Sequence, residues 1–209
     1  MPIPKSGFTY PNRLTRSFLL ALEDVMGRHG VSAILNFAGL SQWIQHYPDD
    51  SLERGVDFAD FSTIGGALEE MYGPRAGRGL ARRSAWLTFE SAVRPSAALP
   101  AAEDPGLIAL PLPDRLQRGL GEMARWLSEF GDEQITVQGG DGSLVYTVHR
   151  CPVCWGRKST SPTCAATQGL LEEAVRYLSG GLSFRVFETR CIAAGGEACE
   201  FRIETEPTS

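Results

Sequence analysis

The chain has 209 residues, 43% of them hydrophobic and 22% charged, which is the balance of an ordinary globular protein with one well-buried core. Its formal net charge of −5 excludes a surface built to bind polyanions, so no nucleic-acid partner is expected. No run approaches the roughly 18 apolar residues of a membrane span, and the opening MPIPKSGFTYPNR lacks the apolar segment of a secretory leader. A cytoplasmic location, with reduced thiols and no membrane association, is the expectation.

The first 95 or so residues read as helical. Asn12 is placed to cap a helix carrying Leu14, Phe18, Leu22 and Val25/Met26, ending near Gly27 to Gly30. A second helix is expected from Val31 to about Tyr47, stopped by Pro48-Asp49-Asp50. Asp60 or Ser62 is expected to cap a third, through Leu68, Met71 and Tyr72 to Gly73-Pro74, and a fourth runs from about Arg75 to Val93. Arg75, Arg78, Arg82 and Arg83 share one face of it and read as a solvated or partner-facing stripe. Pro95 to Pro113, with Glu103-Asp104-Pro105-Gly106, reads as a loop. Leu116, Leu120, Met123, Leu127 and Phe130 then define a strongly amphipathic helix ended by Gly131.

Beyond Gly131 the period changes to two. Ile135 and Val137, the turn Gly139-Gly140-Asp141-Gly142, and Leu144, Tyr146 and Val148 read as a β-hairpin. Cys164 to Leu178 is helical, with Gly180-Gly181 as its stop, and Ser183 to Thr189 and Ala198 to Glu204 are the last two strands. Alternation in the final strand puts Cys199, Phe201 and Ile203 on one face, which is the buried one. Helices segregated from antiparallel strands give an α+β class, an antiparallel four-stranded sheet packed with helices.

All five cysteines fall between Cys151 and Cys199. An odd number of thiols confined to one segment of a reduced chain fits metal ligation or a reactive thiol better than a disulfide scaffold. Cys151-x2-Cys154 at a strand end can present two thiolates to one ion, and Cys191 and Cys199 flank the opening of the last hairpin. A four-sulfur site from those two pairs is compatible with the periodicity.

The stretch Cys151-Pro-Val-Cys-Trp-Gly, Cys164 opening a helix, Glu188-Thr-Arg-Cys191-Ile-Ala-Ala-Gly195 and Cys199-Glu-Phe201 resembles the 4-vinyl reductase domain family, which includes hydrocarbon-binding proteins and the sensor domains of phenol- and xylene-responsive regulators. The resemblance implies a ligand-binding fold like that of haem nitric-oxide sensors and Golgi transport tether subunits, over residues 57–209, with residues 1–56 as an N-terminal helical extension. It also implies a structural zinc on Cys164, Glu188, Cys191 and Cys199, beside a hydrophobic cavity. Cys151 and Cys154 are additional to that pattern, and either can replace Glu188 if the carboxylate is not a ligand. Glu188 and Cys191 are three residues apart, so an ideal strand would point them to opposite faces, and a bulge or strand end is required if both bind.

Candidate cavity residues are Trp126, Phe130, Tyr146, His149, Trp155 and Phe184. The expected function is a sensor or carrier of a small aromatic or hydrocarbon-like ligand, a homodimer that signals through a protein partner. Two other readings stand beside it. One is a tetrapyrrole-binding accessory protein or enzyme of (bacterio)chlorophyll metabolism, with a Cys151 thiolate available to haem. The other is a thiol redox sensor using Cys151 and Cys154. No Ser or Cys sits in a nucleophile motif with His and Asp, and His29, His46 and His149 are far apart, so catalysis has little support.

Overall fold

The computed structural model describes residues 3–102, 104–140 and 142–208. Glu103 and Asp141, which the sequence assigns to a loop and a hairpin turn, lie outside the described residues.

A short strand, β1 (Thr9–Tyr10), leads into helix α1 (Asn12–Met26), followed by α2 (Arg28–Phe37). Asn12 is the first helical residue and not the cap; Pro11 holds the extended cap position, and the Asn12 side-chain amide donates instead to Ser51 Oγ at 3.3 Å. The second helix is shorter than its apolar pattern implied. It stops at Phe37 because Gly39 takes a positive φ of 74°, which a continuing helix cannot accommodate, and Ser41–Trp43 form a separate 3-10 turn.

Strand β2 (Val56–Asp57) pairs antiparallel with β1 and feeds α3 (Phe58–Tyr72). The cap of α3 is Asp57, not Asp60 or Ser62: its carboxylate accepts from Ala59 N at 2.8 Å and from the amides of Ser6 and Gly7 at 3.0 and 3.1 Å. The β1–β2 pairing fixes where the helix can begin, a long-range constraint that overrides local pattern. These hydrogen bonds hold the Asp57 carboxyl below its ordinary value against the opposing effect of burial.

Helix α4 (Pro74–Thr88) continues through a π turn at Phe89–Val93. The expected loop contains one turn of helix, α5 (Pro105–Ile108), capped by Asp104 through Leu107 N at 3.0 Å. The amphipathic α6 (Leu112–Phe130) buries Leu116, Leu120, Met123 and Leu127. Full burial of each such side chain contributes about 1.5–3 kcal/mol.

The four-stranded sheet comprises β3 (Gln134–Gly140), β4 (Ser143–Arg150), β5 (Val186–Arg190) and β6 (Cys199–Glu204), all antiparallel in the order β3-β4-β6-β5. Register pairs Leu144 with Ile203, Tyr146 with Phe201 and Val148 with Cys199, so the alternating apolar faces coincide and are buried. Strand β5 begins later than its alternation implied. Gly180 and Gly181, at φ of 76° and 106°, turn the chain, and Arg185 is the first residue to meet the edge of β6, its carbonyl accepting from Glu204 N at 3.0 Å. Phe184 therefore precedes the strand.

Helix α7 (Ala165–Leu178) packs on α4 at close range, where a Cβ at Gly169 would collide with the Arg82 carbonyl. One continuous core results. Tyr10, Leu14, Phe18 and Leu22 from residues 1–56 belong to the same cluster as Tyr146, Leu171 and Phe201.

Candidate metal centre and ligand cavity

Each cysteine reaches the centre from a different piece of local structure. Cys151 directly follows β4, and Cys154 lies in the ensuing turn, whose Gly156 sits at φ 67°. Cys164 occupies the N-cap position of α7, Cys191 follows β5, and Cys199 opens β6. All five are free thiols, at most 1% exposed. The bend required between Glu188 and Cys191 is present as a register shift in β5, where Glu188 pairs with Phe201 and Arg190 with Glu200, leaving Thr189 as the extra residue.

Two groups of four ligand atoms have all members within 4.8 Å of one another: Cys164, Glu188, Cys191 and Cys199, and Cys151, Cys154, Cys164 and Cys199. Sulfur–sulfur separations are 3.6 Å for Cys151–Cys164, 3.4 Å for Cys154–Cys199, 3.7 Å for Cys164–Cys199, 3.8 Å for Cys164–Cys191 and 4.0 Å for Cys191–Cys199. A tetrahedral ion with metal–sulfur bonds of about 2.3 Å has ligand–ligand edges of about 3.8 Å, so the spacing fits zinc.

The donor chemistry fits as well. Glu188 Oε2 accepts from Cys164 N at 2.8 Å, while its buried Oε1 has no partner. Burial, then the negative charge at Cys191, pushes this carboxyl above its ordinary value. Hydrogen bonds from Cys151, and then from Cys164, Cys191 and Cys199, hold the Cys154 thiol far below its ordinary value, whereas burial pushes Cys164 up. Crowded, buried, acceptor-rich sulfur is the environment that a bound cation relieves.

Beside this centre lies a small cavity of about 20 Å³, lined by Tyr10, Phe18, Phe61, Met123, Tyr146 and Leu171 among others. That is room for a water or so. Val153, from the Cys151–Cys154 turn, and Ala166, two residues after Cys164, form part of its wall. Glu133 enters it from the α6–β3 junction, 7% exposed, with Oε2 unpartnered. Burial pushes its carboxyl up to about 8, so it is largely protonated at neutral pH. The same residue lines an open groove of about 450 Å³ with Arg54, Asp132, Thr136, His149 and Arg150, and thus separates groove from cavity.

Of the six aromatic and histidine candidates, Tyr146 lines the cavity and His149 lines the outer groove, exposed and 3.2 Å from Thr136 Oγ1. Trp126 packs against Phe130 with tilted rings at 5.3 Å, Trp155 packs edge-on against Phe8 and Phe58, and Phe184 is buried elsewhere in the core. Glu133 and the N-terminal contributors Tyr10 and Phe18 were not legible as cavity residues. Two of the four arginines of the stripe are paired, Arg78 with Glu69 and Arg82 with Glu172.

Haem fits the cavity poorly. Tyr10, Tyr146 and Met123 are of residue types that ligate haem iron, but no histidine or cysteine lines the cavity, and a porphyrin needs a far larger opening of its lining than a single aromatic ring does. All three histidines are exposed. No helix among the described residues is long and apolar enough to cross a membrane.

The family model of the 4-vinyl reductase domain matches residues 144–205, a span holding β4, α7, β5, β6 and all five cysteines. No curated protein matches the chain. Among solved structures, the chain is similar to an oxygen-binding H-NOX domain related to soluble guanylate cyclases, at 14% identity and TM-score 0.55, covering 93% of this chain and 94% of that one. It is similar to a mutant H-NOX of T. Tengcongensis, at 13% identity and TM-score 0.59, covering 95% and 100%. A third likeness is to an H-NOX protein from S. oneidensis in the Fe(II)NO ligation state, at 13% identity and TM-score 0.54, covering 93% and 99%. At such identities the likeness concerns the fold alone. Residues 144–205 thus match the 4-vinyl reductase domain family that the cysteine pattern resembled, within a chain that folds as H-NOX domains do.

Proposed function

We propose that this protein is a sensor or carrier module for a small, mostly apolar ligand, with a zinc centre bracing the wall of the binding cavity. The observation that carries the reading is the shared wall: Val153 and Ala166 line the cavity, and their neighbours Cys154 and Cys164 belong to the metal-ligand groups. A change in cavity contents would press on the α7 start and the β4 end together, because the metal ties them. Tyr10, Tyr146, Glu133, Thr88 and Thr167 supply the few polar groups of a mostly apolar lining. With so small a cavity, ligand entry requires the lining to open, and the Glu133 position between groove and cavity makes it the natural point of entry. Zinc, when bound, supplies rigidity and charge neutralisation through a filled tetrahedron with no open position for catalysis.

Purified protein, zinc-loaded and zinc-stripped, is to be titrated with a panel of phenols, alkylbenzenes and medium-chain hydrocarbons while tryptophan fluorescence and melting temperature are followed. Saturable binding to the loaded form, weakened on stripping, is expected. A protein that binds none of them and instead carries a visible porphyrin band would replace this reading with the tetrapyrrole one.

A further inference from the structure

The two four-ligand groups are not alternatives of equal standing, because they overlap by half. Cys164 and Cys199 belong to both, 3.7 Å apart; Cys151 and Cys154 complete one group, and Glu188 and Cys191 the other. One tetrahedral ion uses four donors. Whichever four it takes, two further donors from the remaining set stay within the same buried cluster without a metal. Those left over are either two thiols, each at most 1% exposed, or a thiol and a carboxylate whose Oε1 already lacks any partner.

We propose that the centre is dinuclear. One divalent, thiolate-preferring ion of the zinc type sits with Cys151 and Cys154, a second sits with Glu188 and Cys191, and the sulfurs of Cys164 and Cys199 bridge the two. The inference rests on the metal-centre reading above and deepens it.

The bridging role falls on these two sulfurs for reasons visible in the backbone. Cys199 Sγ accepts from Ile192 N at 3.4 Å, and Cys164 occupies the N-cap of α7, where the unpaired amides of the helix favour negative charge. Charge is no obstacle to the second ion: it displaces to solvent the protons of the two donors left over by the first, with no change in net charge or in oxidation state. Zinc tolerates such sharing because its filled d shell imposes no geometric preference.

The test is the metal content of the full-length protein, produced in zinc-supplemented medium and measured by native mass spectrometry beside elemental analysis. Two zinc ions per chain are expected in the wild type. Cys151→Ser and Cys191→Ser should each keep one, and Cys199→Ser should lose both. Stepwise cobalt loading of the wild type needs no variant: the second equivalent should lower the electron paramagnetic resonance intensity per cobalt, since thiolate-bridged ions couple. A wild type that saturates at one ion overturns the dinuclear centre and leaves the metal-braced module standing; one that binds none overturns both. Two ions retained in Cys151→Ser, or two cobalt ions with additive signals, also overturn the shared-sulfur arrangement.

Discussion

The backbone N–H of Cys164 donates to Glu188 Oε2 at 2.8 Å, and this one bond joins the start of α7 to the middle of β5. It fixes the carboxylate so that Oε1 is buried with no hydrogen-bond partner, beside the thiols of Cys164, Cys191 and Cys199. An oriented carboxylate with one oxygen tied and one free is prepared to ligate, since the rotamer entropy of binding is already lost. Glu188→Gln keeps an acceptor for the Cys164 amide but loses the anionic oxygen. Its zinc affinity should fall by at least the roughly 10- to 100-fold that removing even an outer-shell partner costs. Competition with a chromophoric chelator reads this directly, and an unchanged affinity would assign Glu188 a purely capping role.

Metal removal should cost stability as well. With free zinc about 1,000-fold above its dissociation constant, linkage contributes about 4 kcal/mol. In a domain of this length that corresponds to roughly 8–16 °C of melting temperature. A chelator-treated sample should melt lower by about that amount and recover when zinc is restored. An equal melting temperature in both states would mean that the thiols pack as ordinary core.

Some of this site was legible in the chain and some was not, for physical reasons. Alternation alone put Cys199 on the buried face of β6, because a strand facing a core has a fixed period. The bend between Glu188 and Cys191 was legible as a condition for both to bind, since residues three apart on an ideal strand point to opposite faces, and the register shift in β5 supplies it. A four-sulfur site using Cys151 and Cys154 was open to the sequence, but with Cys191 and Cys199; that the pair groups with Cys164 and Cys199 instead depends on how the turn after β4 folds. Asp57 was missed as a cap because its partners include Ser6 and Gly7, about fifty residues away in sequence. Glu133 looks like any solvated carboxylate between a helix and a strand. Yet it is buried and shares a cavity lining with Tyr10 and Tyr146, neighbours that its local sequence does not announce.

That burial makes Glu133 a pH-dependent element. Its carboxyl is raised from 4.5 to about 8, so between those values the folded state holds a proton that the unfolded state has lost. The resulting stabilisation is fully present below about pH 4.5 and disappears as pH rises through about 8; it amounts to a few kcal/mol at most. Glu133→Gln cannot titrate. From pH 6 to 8.5, with zinc saturating so that the thiolate ligands stay bound, the wild type should lose stability relative to Glu133→Gln in urea unfolding. Parallel pH profiles for the two proteins would show that Glu133 is solvated.

The last prediction concerns the cavity itself. Leu171 lies on α7, is 0% exposed, and contributes to the lining on the helix that Cys164 begins. Leu171→Ala removes three carbons from a wall that the proposed metal centre would hold on one side, so the space should not fully collapse. The cost should be about 2–5 kcal/mol. An apolar void of that kind stays dry and accepts a benzene-sized guest. Toluene or phenol should therefore raise the melting temperature of Leu171→Ala more than that of the wild type, and the excess should shrink when zinc is chelated and the wall is free to relax. A folded Leu171→Ala protein indifferent to every small aromatic would place the ligand elsewhere, with the open groove around His149 and Arg150 as the next surface to probe.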